Sequence, residues 1–192
     1  MQTLFLAWHD FSSHPWFPVG RLTFDGSCYY FVYLQGPIAA RAQYNFPGLW
    51  SFPDFHKLYE SIELLPLLSH RIMPRSRPDY SDFMQWLNLP ENLDDPIALL
   101  SRSGGKRATD HFEVFPCPEP DEKGLYHIHF FARDIRSLPD STASRIASLY
   151  PTETLRLAPN LQNHHDSQAL LLLTADCYPV GYCPRYLFAD RL

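Results

Sequence analysis

Apolar positions in this chain come in short runs, which proline or clusters of Asp, Gly and Ser cut before a long helix can develop. Leu4, Phe5, Leu6, Ala7 and Trp8 form a continuous run that predicts a buried strand, and Ser12, Ser13, His14 and Pro15 break it. Residues 19–24 and 29–34 are two more apolar or alternating runs, separated by Asp25-Gly26-Ser27, a connection that closes a hairpin. An antiparallel sheet therefore opens the chain. Phe52, Phe55 and Tyr59 recur at helical spacing around Pro53, and residues 81–87 repeat that habit after Pro78, which predicts short helices over 50–59 and 81–87. Asp94, Asp95 and Pro96 stand before Ile97, Ala98, Leu99 and Leu100, giving an N-cap, an acidic first turn and an apolar face that ends at Gly104 and Gly105.

The strand pattern returns over 109–115. Residues 116–124 then concentrate proline and charge, cannot continue a ladder past their prolines, and read as a linker between domains at 1–118 and 125–192. Beyond it, residues 125–132 alternate, with His127 and His129 on one face and Tyr126, Ile128 and Phe130 on the other. A short helix is predicted over 141–149, strands over 155–158, 169–174 and 179–182, and a last helix from Pro184. The fold class expected is α+β, an antiparallel sheet with short helices followed by a smaller β-rich domain.

Composition sharpens this picture in three places. Aromatic residues at 15% and 18 prolines are both high, which favours short strands and many turns over long helices. The formal net charge of −5 removes the overall attraction to phosphate that a general nucleic-acid coat protein needs, leaving only local basic patches for such contacts. No basic start leads into an apolar segment of signal-peptide length, and the apolar runs, such as 169–173, are far too short to cross a bilayer, so a cytoplasmic protein with no membrane contact is expected. Cys28, Cys117, Cys177 and Cys183 are widely spaced without a C-x-x-C pair, and buried reduced thiols account for them.

Candidate chemistry is sparse. His127 and His129 make half of a metal site without an evident third ligand, and a half-solvated strand face explains them as well. The His164-His165-Asp166 cluster reads as a loop. Ser103-Gly104-Gly105-Lys106 has the flavour of a phosphate-binding loop, but Leu100 stands where the first glycine belongs, and the segment follows a helix instead of opening one. No hydrolase, metalloprotease or kinase motif is found, and the acidic pairs sit in loops that give no reason for a raised pKa. The expectation is a protein without enzymatic activity, cofactor or metal. Arg71, Arg75 and Arg77 with Tyr80, and Arg102, Lys106 and Arg107 around the end of the helix that closes at Gly104, are two basic clusters suited to a phosphate-bearing or acidic partner.

Two stretches resemble known families. Phe130-Phe131-Ala132-Arg133-Asp134-Ile135-Arg136, then Asn163-His164-His165-Asp166-Ser167-Gln168-Ala169-Leu170, then Val180-Gly181-Tyr182-Cys183-Pro184-Arg185 resemble, in order and spacing, the motifs of the HIRAN domain. The resemblance implies a small β-barrel with one or two helices that binds the 3′ end of single-stranded DNA. It makes Asp166 the aspartate that holds the terminal hydroxyl, puts His165 at the motif's tyrosine position, and adds Arg136, Tyr182 and Arg185 as DNA-contacting residues. Residues 4–115, through Val19-Gly20-Arg21-Leu22, Tyr30-Phe31-Val32-Tyr33 and Asp95-Pro96-Ile97-Ala98-Leu99-Leu100-Ser101-Arg102-Ser103-Gly104-Gly105, resemble the N-terminal subdomain of HipA-type kinases. That subdomain lacks the catalytic residues and also occurs as a separate protein that restrains the kinase. The resemblances together imply a non-catalytic regulatory protein, an antitoxin-like partner of a HipA-type serine/threonine kinase, or alternatively a single-stranded DNA end sensor.

Overall fold

The structure is a computed structural model that describes residues 2–9, 16–35, 46–164 and 166–187. The chain divides into two compact units, Met1–Ile128 and His129–Leu192.

The first unit is mixed α+β. Its antiparallel sheet consists of β1 (Gln2–His9), β2 (Trp16–Phe24), β3 (Tyr29–Tyr33), β4 (Tyr59–Ser61) and β5 (Phe112–Pro116), in the spatial order β4-β3-β2-β1-β5. Alternation sends Leu4, Leu6, Leu22, Phe31 and Val114 to one face, where they bury against Phe46, Leu49, Phe52, Leu65, Leu68, Ile97 and Leu100. The β2–β3 hairpin is set by Asp25, whose Oδ1 accepts the N–H groups of Ser27 (2.8 Å) and Cys28 (2.9 Å). These backbone donors hold the Asp25 carboxyl well below the usual carboxylate range, Cys28 contributing most. Gly20 lies directly under the Phe31 ring: a Cβ there would sit 2.3 Å from Phe31 Cζ, so only glycine fits.

Three short helices follow β4: α1 (Pro66–Ser69), α2 (Tyr80–Trp86) and α3 (Pro96–Ser103). The last has the N-cap and the glycine end that its sequence predicts, but no acidic residue in its first turn, because Asp95 is itself the cap and Asp94 precedes it. Asp95 Oδ1 accepts from the N–H of Ile97 (2.9 Å) and of Ala98 (3.0 Å), Pro96 occupies the first turn, and Gly104 closes the helix at φ 71°.

Two expectations of local structure are overturned. The predicted helix over 50–59 is absent, and turns lead into β4 in its place. Its aromatic spacing serves the sheet: Phe52 stacks on Phe31 at 4.5 Å, Phe55 lies 4.5 Å from Tyr33, and Tyr59 packs 4.8 Å from Phe52. Helical spacing and packing onto one sheet face look alike over so short a window. The predicted strand over 125–132 is likewise absent, leaving an isolated bridge between Pro120 and Tyr126. Asp121 explains its first half, because its carboxylate accepts the N–H groups of Lys123 (2.8 Å) and Leu125 (2.9 Å) and contacts His127 Nε2 (2.9 Å), tying residues 121–127 into a loop.

The second unit carries a three-stranded antiparallel sheet in sequence order, β6 (Arg156–Pro159), β7 (Leu170–Leu173) and β8 (Pro179–Tyr182). Ahead of it lie 3-10 turns at Ile135–Ser137 and Asp140–Thr142 and the short helix α4 (Ala143–Ala147). Arg145 on α4 is paired with both Glu153 and Asp176, and the Glu153 contact is the main cause of its raised pKa. Buried Ala169, Leu172, Val180 and Cys183 form its apolar interior, and buried Thr174 is satisfied by the Tyr178 N–H, which donates to its Oγ1 at 3.0 Å. Burial pushes the Cys183 thiol up to about 11, which keeps it protonated. Of the helix predicted from Pro184, the described residues show a 3-10 turn, Arg185–Leu187; residues 188–192 lie outside the description. Among the described residues no helix is long and apolar enough to cross a membrane.

Candidate functional site

In the second unit, three stretches far apart in sequence converge on β8. Gly181 lets the 133 segment approach closely, since a Cβ there would lie 2.7 Å from Ala132 Cβ and 3.3 Å from the Arg133 carbonyl. Arg133 and Tyr182 accordingly exchange two main-chain hydrogen bonds of 2.9 Å each. Asp134 then turns the chain through the left-handed region (φ 52°), and the 3-10 turn that follows carries Arg136 exposed to solvent. On the other side of β8, Cys183 N–H donates to the Leu170 carbonyl (2.9 Å), which seats the Pro184-Arg185 end beside the loop over 160–169.

That loop is organised by side-chain to backbone bonds. Asn163 Oδ1 accepts the Asp166 N–H (3.0 Å), and Asp166 Oδ1 accepts the Gln168 N–H (3.0 Å), two linked turns that fix the orientation of the carboxylate. Arg185 reaches in from beyond β8: its Nη1 lies 3.2 Å from Asp166 Oδ1, and its Nη2 donates to Gln168 Oε1 at 3.3 Å. Both charges remain partly open, with side chains 24% exposed for Asp166 and 34% for Arg185, so either can reach a ligand without a large desolvation cost. Asn160 Nδ2 donates to the Tyr182 hydroxyl (2.9 Å), which orients that ring.

Of the DNA-contacting residues predicted from sequence, Asp166 and Arg185 are in direct contact, Tyr182 is on the adjoining strand, and Arg136 is on the turn that Arg133 attaches to that strand. His165 lies outside the described residues. Asn160 was not singled out by sequence reasoning. Its signal was its place at the end of a predicted strand, where asparagine commonly sets a turn, and its side-chain oxygen does accept the Gln162 N–H at 3.2 Å.

The two basic clusters of the first unit are placed differently. Arg71 is an internal brace: its side chain is 1% exposed, it pairs with Asp110 at 2.6 Å, donates to the carbonyls of Leu67 (3.1 Å) and Gly105 (2.9 Å), and lies over the Phe112 ring. Tyr80 is buried too. Arg75 donates to the Leu93 carbonyl (2.7 Å) and Asp94 (3.0 Å), and Arg77 makes a two-pronged contact with Asp79 at 2.8 Å, which raises its own pKa and lowers that of Asp79. Arg102 is half-buried near the end of α3, and Lys106 and Arg107 are exposed on the turn after it. Arg71 and Tyr80 therefore support the fold, while Arg75, Arg77, Lys106 and Arg107 hold surface positions.

His127 is held by Asp121. Among the described residues, no group of three or more His, Cys, Asp or Glu side chains is gathered to hold a metal ion. No known protein family, curated protein or solved structure matches this chain.

Proposed function

We propose that this is a non-catalytic binding protein whose second unit, folded as a HIRAN-like barrel around β6, β7 and β8, receives the 3′ end of single-stranded DNA. The observation that carries the reading is the convergence of Asp166, Arg185 and Tyr182 at one end of the small sheet, with Arg136 exposed on the neighbouring turn. An oriented carboxylate accepts the hydrogen bond of a terminal hydroxyl, and arginines beside it balance the flanking phosphate charge. The Tyr182 ring, oriented by Asn160, offers a stacking surface, a contact that contributes roughly 1–3 kcal/mol per base in single-strand binding. Fluorescence anisotropy with an oligonucleotide ending in a 3′-hydroxyl, against the same strand ending in a 3′-phosphate, tests it. The hydroxyl end should bind more tightly, and equal or absent binding rejects the reading.

A second reading, in which the first unit docks on a protein such as a HipA-type kinase, is favoured by Trp50. This ring is 97% exposed, yet its turn is fixed at both sides: Leu49 and Phe52 are buried, Leu49 N–H donates to the Tyr33 hydroxyl (3.0 Å), and that hydroxyl donates to the Phe52 carbonyl (2.7 Å). A rigidly presented tryptophan is the type of residue that anchors protein interfaces. Co-purification with a HipA-type kinase, weakened at least tenfold by Trp50→Ala, is the expected result. Retention of the kinase by the variant speaks against it.

A further inference from the structure

The two edges of the five-stranded sheet are finished differently. At the β5 edge the outward N–H groups are taken: Phe112 N–H donates to Asp110 Oδ1 (3.1 Å), Val114 N–H to the Gly104 carbonyl (2.7 Å), and Pro116 has no N–H to offer. At the β4 edge the direction of each main-chain group follows from ladder parity. Leu34 N–H donates to the Val19 carbonyl and Asp25 N–H to the Cys28 carbonyl, and bonded pairs in an antiparallel ladder recur at every second residue. Tyr30 and Val32 therefore bond to β2, whereas Tyr29 and Phe31 bond to their β4 partners Ser61 and Tyr59. The N–H and C=O of Glu60, opposite Tyr30, point away from the sheet, and among the described residues no hydrogen bond reaches them. Two positions to either side of Glu60, just beyond the ends of β4, stand Leu58, 52% exposed, and Ile62, 78% exposed.

We propose that β4 is a strand-addition site for an extended segment of a protein partner, with a basic residue opposite Glu60 and apolar residues at the alternate positions on both sides. Main-chain bonding to Glu60 supplies the attachment, and the apolar, acidic, apolar row of Leu58, Glu60 and Ile62 selects an apolar, basic, apolar row across from it. A second copy of this chain is the wrong occupant. Antiparallel pairing of two β4 strands about Glu60 sets carboxylate against carboxylate, and like charges directly opposite are destabilising. The acidic residue thus blocks self-pairing and favours a cationic guest. The inference rests on the docking reading above and gives the chemistry of the partner.

The probe is the blocked peptide Thr-Val-Thr-Lys-Thr-Val-Thr, titrated into the isotope-labelled full chain and followed at the Glu60 amide by nuclear magnetic resonance. It should shift the Glu60 amide and bind roughly tenfold more tightly than the same peptide with Glu at its centre. Glu60→Lys, whose far-ultraviolet circular dichroism should match the wild type because the residue is exposed, should reverse that order. N-methylation of the central lysine should abolish binding. Equal binding of the two peptides, indifference to N-methylation, or a Glu60 shift that follows protein concentration alone overturns the proposal, the last by naming a second copy as occupant. A kinase that binds wild type and Glu60→Lys equally removes this edge while leaving the docking reading intact.

Discussion

The two units each hold an Arg–Asp ion pair, and the pairs have opposite surroundings. In the first unit Arg71 meets Asp110 at 2.6 Å with its side chain 1% exposed and further donors directed at the carbonyls of Leu67 and Gly105. In the second unit Arg185 meets Asp166 at 3.2 Å, both side chains a quarter to a third exposed (24% and 34%), and it also donates to Gln168. Chemistry in the two pairs is the same. Burial decides what each can be used for, because a desolvated charge must keep its partner, whereas a half-open one can exchange its partner at small cost.

The comparison breaks most visibly at Arg71. Arg71→Ala leaves Asp110 without its partner and should cost about 3 kcal/mol of stability, read by urea unfolding, while leaving the second unit's binding intact. Gly20→Ala, a purely steric counterpart in the same core, drives a methyl into the Phe31 ring and should cost about 1–3 kcal/mol by the same measurement. Asp25 asks whether every exposed carboxylate is available to a ligand, as Asp166 is taken to be. Its folded-state pKa is depressed by the hairpin amides, so its contribution to stability is present above the unfolded pKa and is lost as pH falls through the folded value. Asp25→Asn should therefore be less stable than wild type at neutral pH, and the gap should close in strong acid, followed by circular dichroism across a pH series. The smallest effect on stability belongs to the second pair. Arg185→Ala and Asp166→Ala should each change it by less than about 1 kcal/mol, yet Asp166→Ala should erase the preference for a 3′-hydroxyl end.

The sequence made some elements legible and concealed others for physical reasons. The hairpin at Asp25-Gly26-Ser27 and the helix capped by Asp95 and Gly104 were readable because their signals are local, a side chain bonding to backbone two or three residues away. The segments over 50–59 and 125–132 misled, since aromatic spacing and alternation report only that side chains have neighbours, and the Phe31 ring and the Asp121 carboxylate that organise them cannot be foreseen from spacing. Arg71 and Arg75 look alike in the sequence and differ wholly in burial, because Asp110 lies 39 positions away. For the candidate site, the order of the three motif stretches could be read directly. The contact of Asp166 with Arg185 and the bond from Asn160 to Tyr182 needed the fold.

Whether the second unit receives a DNA end is decided by hydrogen exchange of the full chain with and without a 3′-hydroxyl oligonucleotide. The account predicts slowed exchange over residues 133–136, 160–169 and 182–185, with the first unit's sheet unchanged. Protection confined to the first unit, or none at saturating oligonucleotide, would contradict it.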